Sequence, residues 1–269
     1  MSRGIDKDSM GVYLFCLTPA SSLPEITGNG IDPMHPLFVE VIGEVTAVLT
    51  EVNIDDFSGP AAKENMVNLE WVAPRALRHE EVVIAAMEQG PVLPVRFGTV
   101  FSSLVAVTEA LRLRQDVFEK FFQNTAGMNE WILKGYANLP QNRVRMTLER
   151  MAAEKEQLAE LSPGKRYFLE QKIKGEVAKA STLWLKRIGK EIGELAEQNS
   201  AEFSKCRLQS REVTGRDEEM FFHAALLVPD CSVVAMEGVM DAWNTQQKSQ
   251  SLQLELSGPW PPYHFAPTL

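Results

Sequence analysis

Apolar positions along the first half of the chain change rhythm several times, and each rhythm predicts an element. Val12–Leu17 is an unbroken apolar run of strand length. Residues 18–36 are rich in Ser, Pro, Gly and Asn and predict a loop. Phe38–Ile42 and Val45–Val52 supply strand material interrupted by Gly43-Glu44, a hairpin or bulge signal. Pro60 opens a short helix that ends before Trp71, and Pro74 suits the first turn of the next one. In that second helix Leu77, Ile84 and Met87 recur at helical spacing beside Val83, and Gly90-Pro91 closes it. Val92–Phe101 predicts a strand, and Ser102-Ser103 offers a cap for a helix running to about Phe122. The order β, β, β, α, α, β, α suits an α+β domain: one antiparallel sheet with helices on one face.

The second half restarts the pattern. Trp131–Ala137 has strand character, and Val144, Leu148, Met151 and Leu158 fall on an a/d-like seam interrupted by Lys155. Ser162-Pro163-Gly164 breaks the chain. Leu169, Ile173, Val177, Ala180, Trp184, Ile188, Ile192 and Leu195 then form one stripe of a helix over 165–199, about 52 Å long at ~1.5 Å per residue. Two amphipathic helices joined by Pro-Gly predict a coiled-coil-like hairpin; two helices packed on a sheet are the alternative. Strands follow at Arg207–Val213 and Met220–Val228, then a helix capped by Asp230 and ending near Gln247. Leu252, Leu254 and Leu256 alternate with polar residues, the period of a half-buried strand.

Gly258-Pro259-Trp260-Pro261-Pro262-Tyr263-His264-Phe265 closes the chain with three aromatics on a proline scaffold. Each proline presets its φ, so this segment loses little entropy on docking. It predicts an arm strapped onto a surface, this molecule's own or a partner's.

These residues also carry a resemblance. The arm is similar to the carboxyl-terminal signature of the gas vesicle proteins GvpL and GvpF. Leu77-Arg78-His79-Glu80-Glu81-Val82-Val83 and Leu93-Pro94-Val95-Arg96-Phe97-Gly98-Thr99 resemble that family's His-Glu helix and strand motif, and Met10–Cys16 its opening strand. One departure stands out, His264 where the family usually has Ser, and it bears on that side chain's hydrogen bonding. The resemblance implies a ferredoxin-like first domain. It also implies a minor or accessory structural protein of gas vesicle formation, cytoplasmic and wall-associated, that binds the small hydrophobic shell protein GvpA and other accessory proteins. Residues 1–9, polar and mixed in charge, read as a disordered extension. The expected organisation is a first domain over 10–128, a second over 129–257 with its helical hairpin at 140–200 and a β-α-β portion, and the tail at 258–269.

Composition narrows the alternatives. A net charge of −9 argues against general nucleic-acid binding, which depends on neutralising phosphates. Arg143 to Glu197, on the expected helical hairpin, holds 12 Lys/Arg against 9 Glu while the remainder is acidic as a whole, and this excess suits an acidic partner or a solvated face. No apolar run reaches 18 residues, so no membrane span is expected. The three cysteines, Cys16, Cys206 and Cys231, form no CxxC pair and predict buried thiols in a reducing compartment.

Catalytic signals are lacking. His79-Glu80-Glu81 starts like a zinc-protease helix, but Val83 stands where the second histidine belongs. His79 is expected to orient a local hydrogen bond or face solvent. Gly28-Asn29-Gly30 lacks the third glycine of a dinucleotide loop. Arg96 on its strand needs a carboxylate or carbonyl partner, and a structural ion pair is its favoured role. Trp260, Tyr263, Phe265, Arg96 and His79 are the candidate interaction or structural residues; no catalytic residue, metal ligand or cofactor is assigned. A small-ligand sensor or enzyme on a ferredoxin-like sheet is the competing reading, resting on fold analogy alone.

Overall fold

The computed structural model describes residues 10–269; the expected extension at 1–9 lies outside the described residues. The chain divides into two compact units, one made of residues up to Glu130 together with Pro259–Leu269, the other of Trp131–Gly258. The fold is mixed α and β with antiparallel sheets.

In the first unit the order is β1 (Met10–Pro19), β2 (Leu37–Ile42), β3 (Val45–Asn53), α1 (Gly59–Val67), α2 (Leu69–Met87), β4 (Leu93–Pro94), β5 (Val100–Phe101), α3 (Leu104–Arg112) and α4 (Gln115–Thr125). The sheet runs β2-β3-β1-β4, with β5 also paired to β1, and its pairings are antiparallel. A ferredoxin-like βαββαβ order would place a helix between β1 and β2; here residues 20–36 form a loop. The β2–β3 hairpin turns at Gly43-Glu44, with Gly43 at φ +62°, a conformation glycine adopts without a Cβ penalty.

Helices cover both faces of this sheet, where one face was expected. Val12, Leu14 and Leu49 pack with Val107, Leu111 and Phe118 of α3 and α4, whereas Tyr13, Phe15 and Val48 pack with Val82, Val83 and Ala86 of α2. The unbroken apolar run of β1 is the cause. Successive side chains point to opposite faces, so Val12–Leu17 can be buried throughout only if both faces are covered.

Two further expectations change. Pro74 lies inside α2, because that helix starts at Leu69 under an Asn68 cap that accepts the Glu70 amide at 3.0 Å. Val92–Phe101 is not one strand: Leu93–Pro94 and Val100–Phe101 pair separately with β1. Between them the chain turns, with Thr99 N–H donating to Arg96 O at 3.2 Å and Gly98 at φ +85°. Ser103 caps α3 as expected, accepting from Ala106 N at 3.2 Å.

The second unit contains most of β6 (Met128–Ala137), α5 (Leu139–Ala153), α6 (Lys155–Glu160), α7 (Pro163–Gln198), β7 (Glu202–Lys205), α8 (Arg211–Thr214), β8 (Glu219–Pro229), α9 (Val233–Gln247) and most of β9 (Leu252–Trp260), with sheet order β7-β8-β6-β9. Its core joins Leu133, Ala224, Leu226 and Leu254 of the sheet to Ile188 and Ile192 of α7 and Met236 and Met240 of α9. The 36 residues of α7 are close to the expected span. Its buried stripe keeps Ile173, Val177, Ile188 and Ile192 but adds Ser181, Leu185 and Ala196. Of the seam expected from Val144 to Leu158, Val144 and Leu148 are 60% and 62% exposed and drop out, whereas Met151 and Leu158 are half-buried. Arg207–Val213 is not a strand; the strand is Glu202–Lys205, and Arg211–Thr214 is a helical turn closed by Gly215. The outer edge of β9 is blocked locally by Asn244, whose amide donates to Leu254 O at 2.9 Å and accepts from Leu254 N at 2.7 Å. A side-chain amide thus takes the place of a neighbouring strand at that residue.

Of the cysteines, Cys16 is buried, Cys206 half-buried and Cys231 exposed, so only the first behaves as expected. Burial alone pushes the Cys16 thiol well above its ordinary range, which leaves it unreactive.

Candidate functional site

The most elaborate polar arrangement in the first unit lies where the C-terminal arm docks. It starts from β1. Tyr13 is fully buried, and its hydroxyl accepts from Gly98 N at 3.0 Å and lies 2.9 Å from His79 Nδ1. On the other side of the ring, His79 Nε2 lies 3.0 Å from Val95 O. A carbonyl only accepts, so Nε2 carries the proton and the neutral ring's Nδ1 accepts from Tyr13. Desolvation lowers the His79 pKa to about 4, against a weaker opposing contribution from the Val95 bond. Phe15 stacks on the imidazole with centroids 5.6 Å apart, and Phe97 meets it edge-on at 5.9 Å. His79 is therefore a satisfied core residue that ties β1, α2 and the turn at Arg96–Thr99 together. Of the two roles expected for it, the hydrogen bond holds and exposure to solvent does not.

The arm closes over this network. Tyr263 packs against the α2-side core, and its hydroxyl donates to Glu80 Oε2 at 2.9 Å. Its ring lies 6.5 Å from His79. Ala266 and Leu269 pack against the core on the opposite face of the sheet. Arg114 of the first unit donates to Thr268 O. Tyr263 N–H donates to Pro261 O at 2.8 Å and Phe265 N–H to Pro262 O at 3.2 Å, so the arm satisfies part of its own backbone. Phe265 is half-buried and Trp260, at the end of β9, is 39% exposed.

Glu130 anchors the arm most firmly. Its side chain is 3% exposed, and both oxygens bind His264: Oε2 accepts the backbone N–H at 2.9 Å and Oε1 lies 2.6 Å from Nδ1. The bond to Glu130 raises the His264 pKa above 6.5 despite partial burial. Burial raises the carboxyl of Glu80, with the Tyr263 hydroxyl opposing and the charge of Glu130 adding. The arm thus covers two carboxylates close enough to feel each other.

Arg96 is exposed in the turn after β4 and lines a crevice of about 110 Å³ with Pro94, Thr99, Tyr263 and residues 266–269 of the arm. Among the described residues no carboxylate pairs with it, so the expected ion pair is absent. The strand that would have buried it is a turn. His79, Arg96 and Tyr263 do come together around the arm. Tyr13, Glu80 and Glu130 belong to the site and are not among the candidate residues, although Glu80 stands in the His79-Glu80-Glu81 motif. A carboxylate beside the apolar run Trp131–Leu133 was the available signal for Glu130.

A second concavity, about 560 Å³, lies between residues 29–33 and Pro74, Arg75 and Arg78. Its arginines are already engaged. Arg78 donates to Asn29 O at 2.6 Å and to Glu81 at 3.1 Å; Arg75 donates to Trp71 O and sits over the Trp71 ring at 4.3 Å. Among the described residues no cluster of three His, Cys, Asp or Glu has the spacing to hold a metal ion, and no helix is long and apolar enough to cross a membrane.

The fold and this arm place the chain beside known proteins. A family model described as gas vesicle synthesis protein GvpL/GvpF matches residues 11–267. Gas vesicle protein L of Streptomyces sp. (strain CB03234) is 25% identical over 224 residues, covering 83% of this chain and 80% of the relative. Gas vesicle protein L1 of Halobacterium salinarum (strain ATCC 700922 / JCM 11081 / NRC-1) is 26% identical, covering 97% and 92%. Crystal structures of GvpF from Anabaena sp. PCC7120 and from Microcystis aeruginosa share the fold, with TM-scores of 0.67 and 0.62, 19% and 20% identity, and coverage of 97% and 96% of this chain and 100% and 99% of theirs. With a family match over nearly its whole length, this chain belongs to the GvpL/GvpF family of gas vesicle synthesis proteins.

Proposed function

We propose that this protein assists gas vesicle formation by binding the hydrophobic shell protein GvpA, guiding its nucleation or keeping it from aggregating before assembly. On this reading the first unit is a variant of the ferredoxin-like fold, and α5 pairs with α7 as a coiled-coil-like hairpin in the second, with Val144 and Leu148 outside its seam. A shell subunit must expose apolar surface before it assembles, and such surface self-associates unless a partner covers it.

The observation that carries this reading is the apolar stripe at the corner of α1 and α2. Leu69 is 77% and Leu77 63% exposed, one above the other on α2 with Ala73 between them, and Met66 and Val67 extend the patch at the end of α1. Exposed leucine, valine and methionine gathered on two successive helices suit a protein-binding face. The alternative of an enzyme or ligand sensor has no comparable support: the polar groups of the largest concavity described above are already paired.

The stripe can be tested by co-expression with GvpA and capture of the complex. Leu69→Asp/Leu77→Asp is expected to keep its melting temperature, because both side chains face solvent, while GvpA recovery falls about tenfold or more. Equal recovery from wild type and variant would remove this face from the proposal.

A further inference from the structure

We propose that the arm is a proton-operated strap: protonated His264 latches it onto Glu130, and loss of that proton loosens it, uncovering surface on the first unit. The uncovered surface would then present Glu80, Glu130 and the apolar socket of Tyr263 on one face of the sheet, and those of Ala266 and Leu269 on the other. The proposal does not depend on the identity of the shell partner.

Geometry carries it. Glu130 is a buried carboxylate whose two oxygens are each taken by the same arm residue, at 2.9 Å by the His264 amide and at 2.6 Å by its ring. A buried carboxylate without partners is costly, so the seated arm, which supplies a partner to each Glu130 oxygen, relieves that cost. The groups around the latch come from several elements. Glu80 of α2 feels the charge of Glu130 and accepts from the Tyr263 hydroxyl. His79 of α2 and Tyr13 of β1 lie beneath as a neutral hydrogen-bonded pair. Arg96, from the turn after β4, lines the crevice beside Tyr263. A buried carboxylate against one face of the imidazole favours the imidazolium, and only that form brings a positive charge to Glu130. The neutral ring can still donate from Nδ1 but no longer offsets that charge.

The sign follows from the raised pKa of His264. Its contribution is fully present below about pH 6.5, the unfolded value, and is lost as pH rises through the higher folded value. The opposite limb belongs to His79, whose titration lies on the acid side.

Hydrogen–deuterium exchange of the full chain at pH 6.0 and 8.5, corrected for intrinsic rates, tests the strap. Protection of peptides covering residues 261–269 is expected to fall on the order of five- to tenfold at the higher pH, while β1 and β3 keep theirs. His264→Ser should show the lower protection at both values. Glu130→Gln, which keeps an acceptor for the His264 amide but removes the charge, should also abolish the pH response. Equal arm protection at the two pH values in wild type would overturn the proposal, as would a His264→Ser variant that retains the full drop.

Discussion

His79→Ala is expected to lower the unfolding free energy by about 3–5 kcal/mol, a large share of what a domain possesses. The substitution leaves the Tyr13 hydroxyl without its acceptor and the Val95 carbonyl without its donor, both in the core, at about 1–3 kcal/mol each. It also opens a cavity between Phe15 and Phe97, which face the imidazole. A fall in the urea midpoint at unchanged m would confirm the loss as one of stability. The same residue sets an acid limb. With a folded pKa of about 4 against 6.5 when unfolded, the unfolded chain binds the extra proton between those values. Stability is fully present above pH 6.5 and falls by about 3 kcal/mol on the way to pH 4. His79→Gln removes this titration, so the difference between wild type and variant should shrink over that window. A constant difference from pH 7 to pH 4 would contradict a neutral, buried His79.

Where single elements are coded by local chemistry, sequence reasoning located them well. The strand residues of β1, β2 and β3, the Ser103 cap and the extent of α7 each depend on a run, a cap or a period visible within one window. The misses have a common physical origin in tertiary context. The unbroken apolar run of β1 was read as a strand without following what burial of both its faces requires of the helices. Val92–Phe101 looks continuous in hydropathy, but the chain turns at Arg96–Thr99 with Gly98 at positive φ, so pairing with β1 survives only on either side of that turn. The candidate site was half legible. Tyr263, His79 and Arg96 were marked by unusual residue types in unusual places, and an arm strapped on this molecule's own surface was one of two stated outcomes. Glu80 and Glu130 were not, because a carboxylate on a helix or strand looks like any solvated charge until the arm is laid over it. Tyr13 was hidden within an apolar run.

The exposure of Val144 and Leu148 on α5 makes the second large prediction. Both sides of the expected helical hairpin carry leucine, isoleucine and valine at helical spacing, and only burial distinguishes which side chains hold the second unit together. Ile192 on α7 is fully buried among Leu133, Phe222, Ala224 and Met236. Ile192→Ala deletes buried methyl and methylene groups and leaves a cavity that the sheet cannot collapse into, so a loss of about 2–5 kcal/mol is expected. Leu183 lies on the same helix but is 68% exposed, and Leu148 of α5 is 62% exposed. Alanine at either should change stability by no more than about 0.5 kcal/mol, and helix propensity favours the change slightly. Equilibrium urea unfolding of the three variants separates the two architectures. A tight two-helix seam at Val144 and Leu148 would make Leu148→Ala costly, whereas helices laid on a sheet make Ile192→Ala the costly one. Comparable losses at Leu148 and Ile192 would return the seam to α5 and leave the exposed face of that helix in need of a partner within the chain.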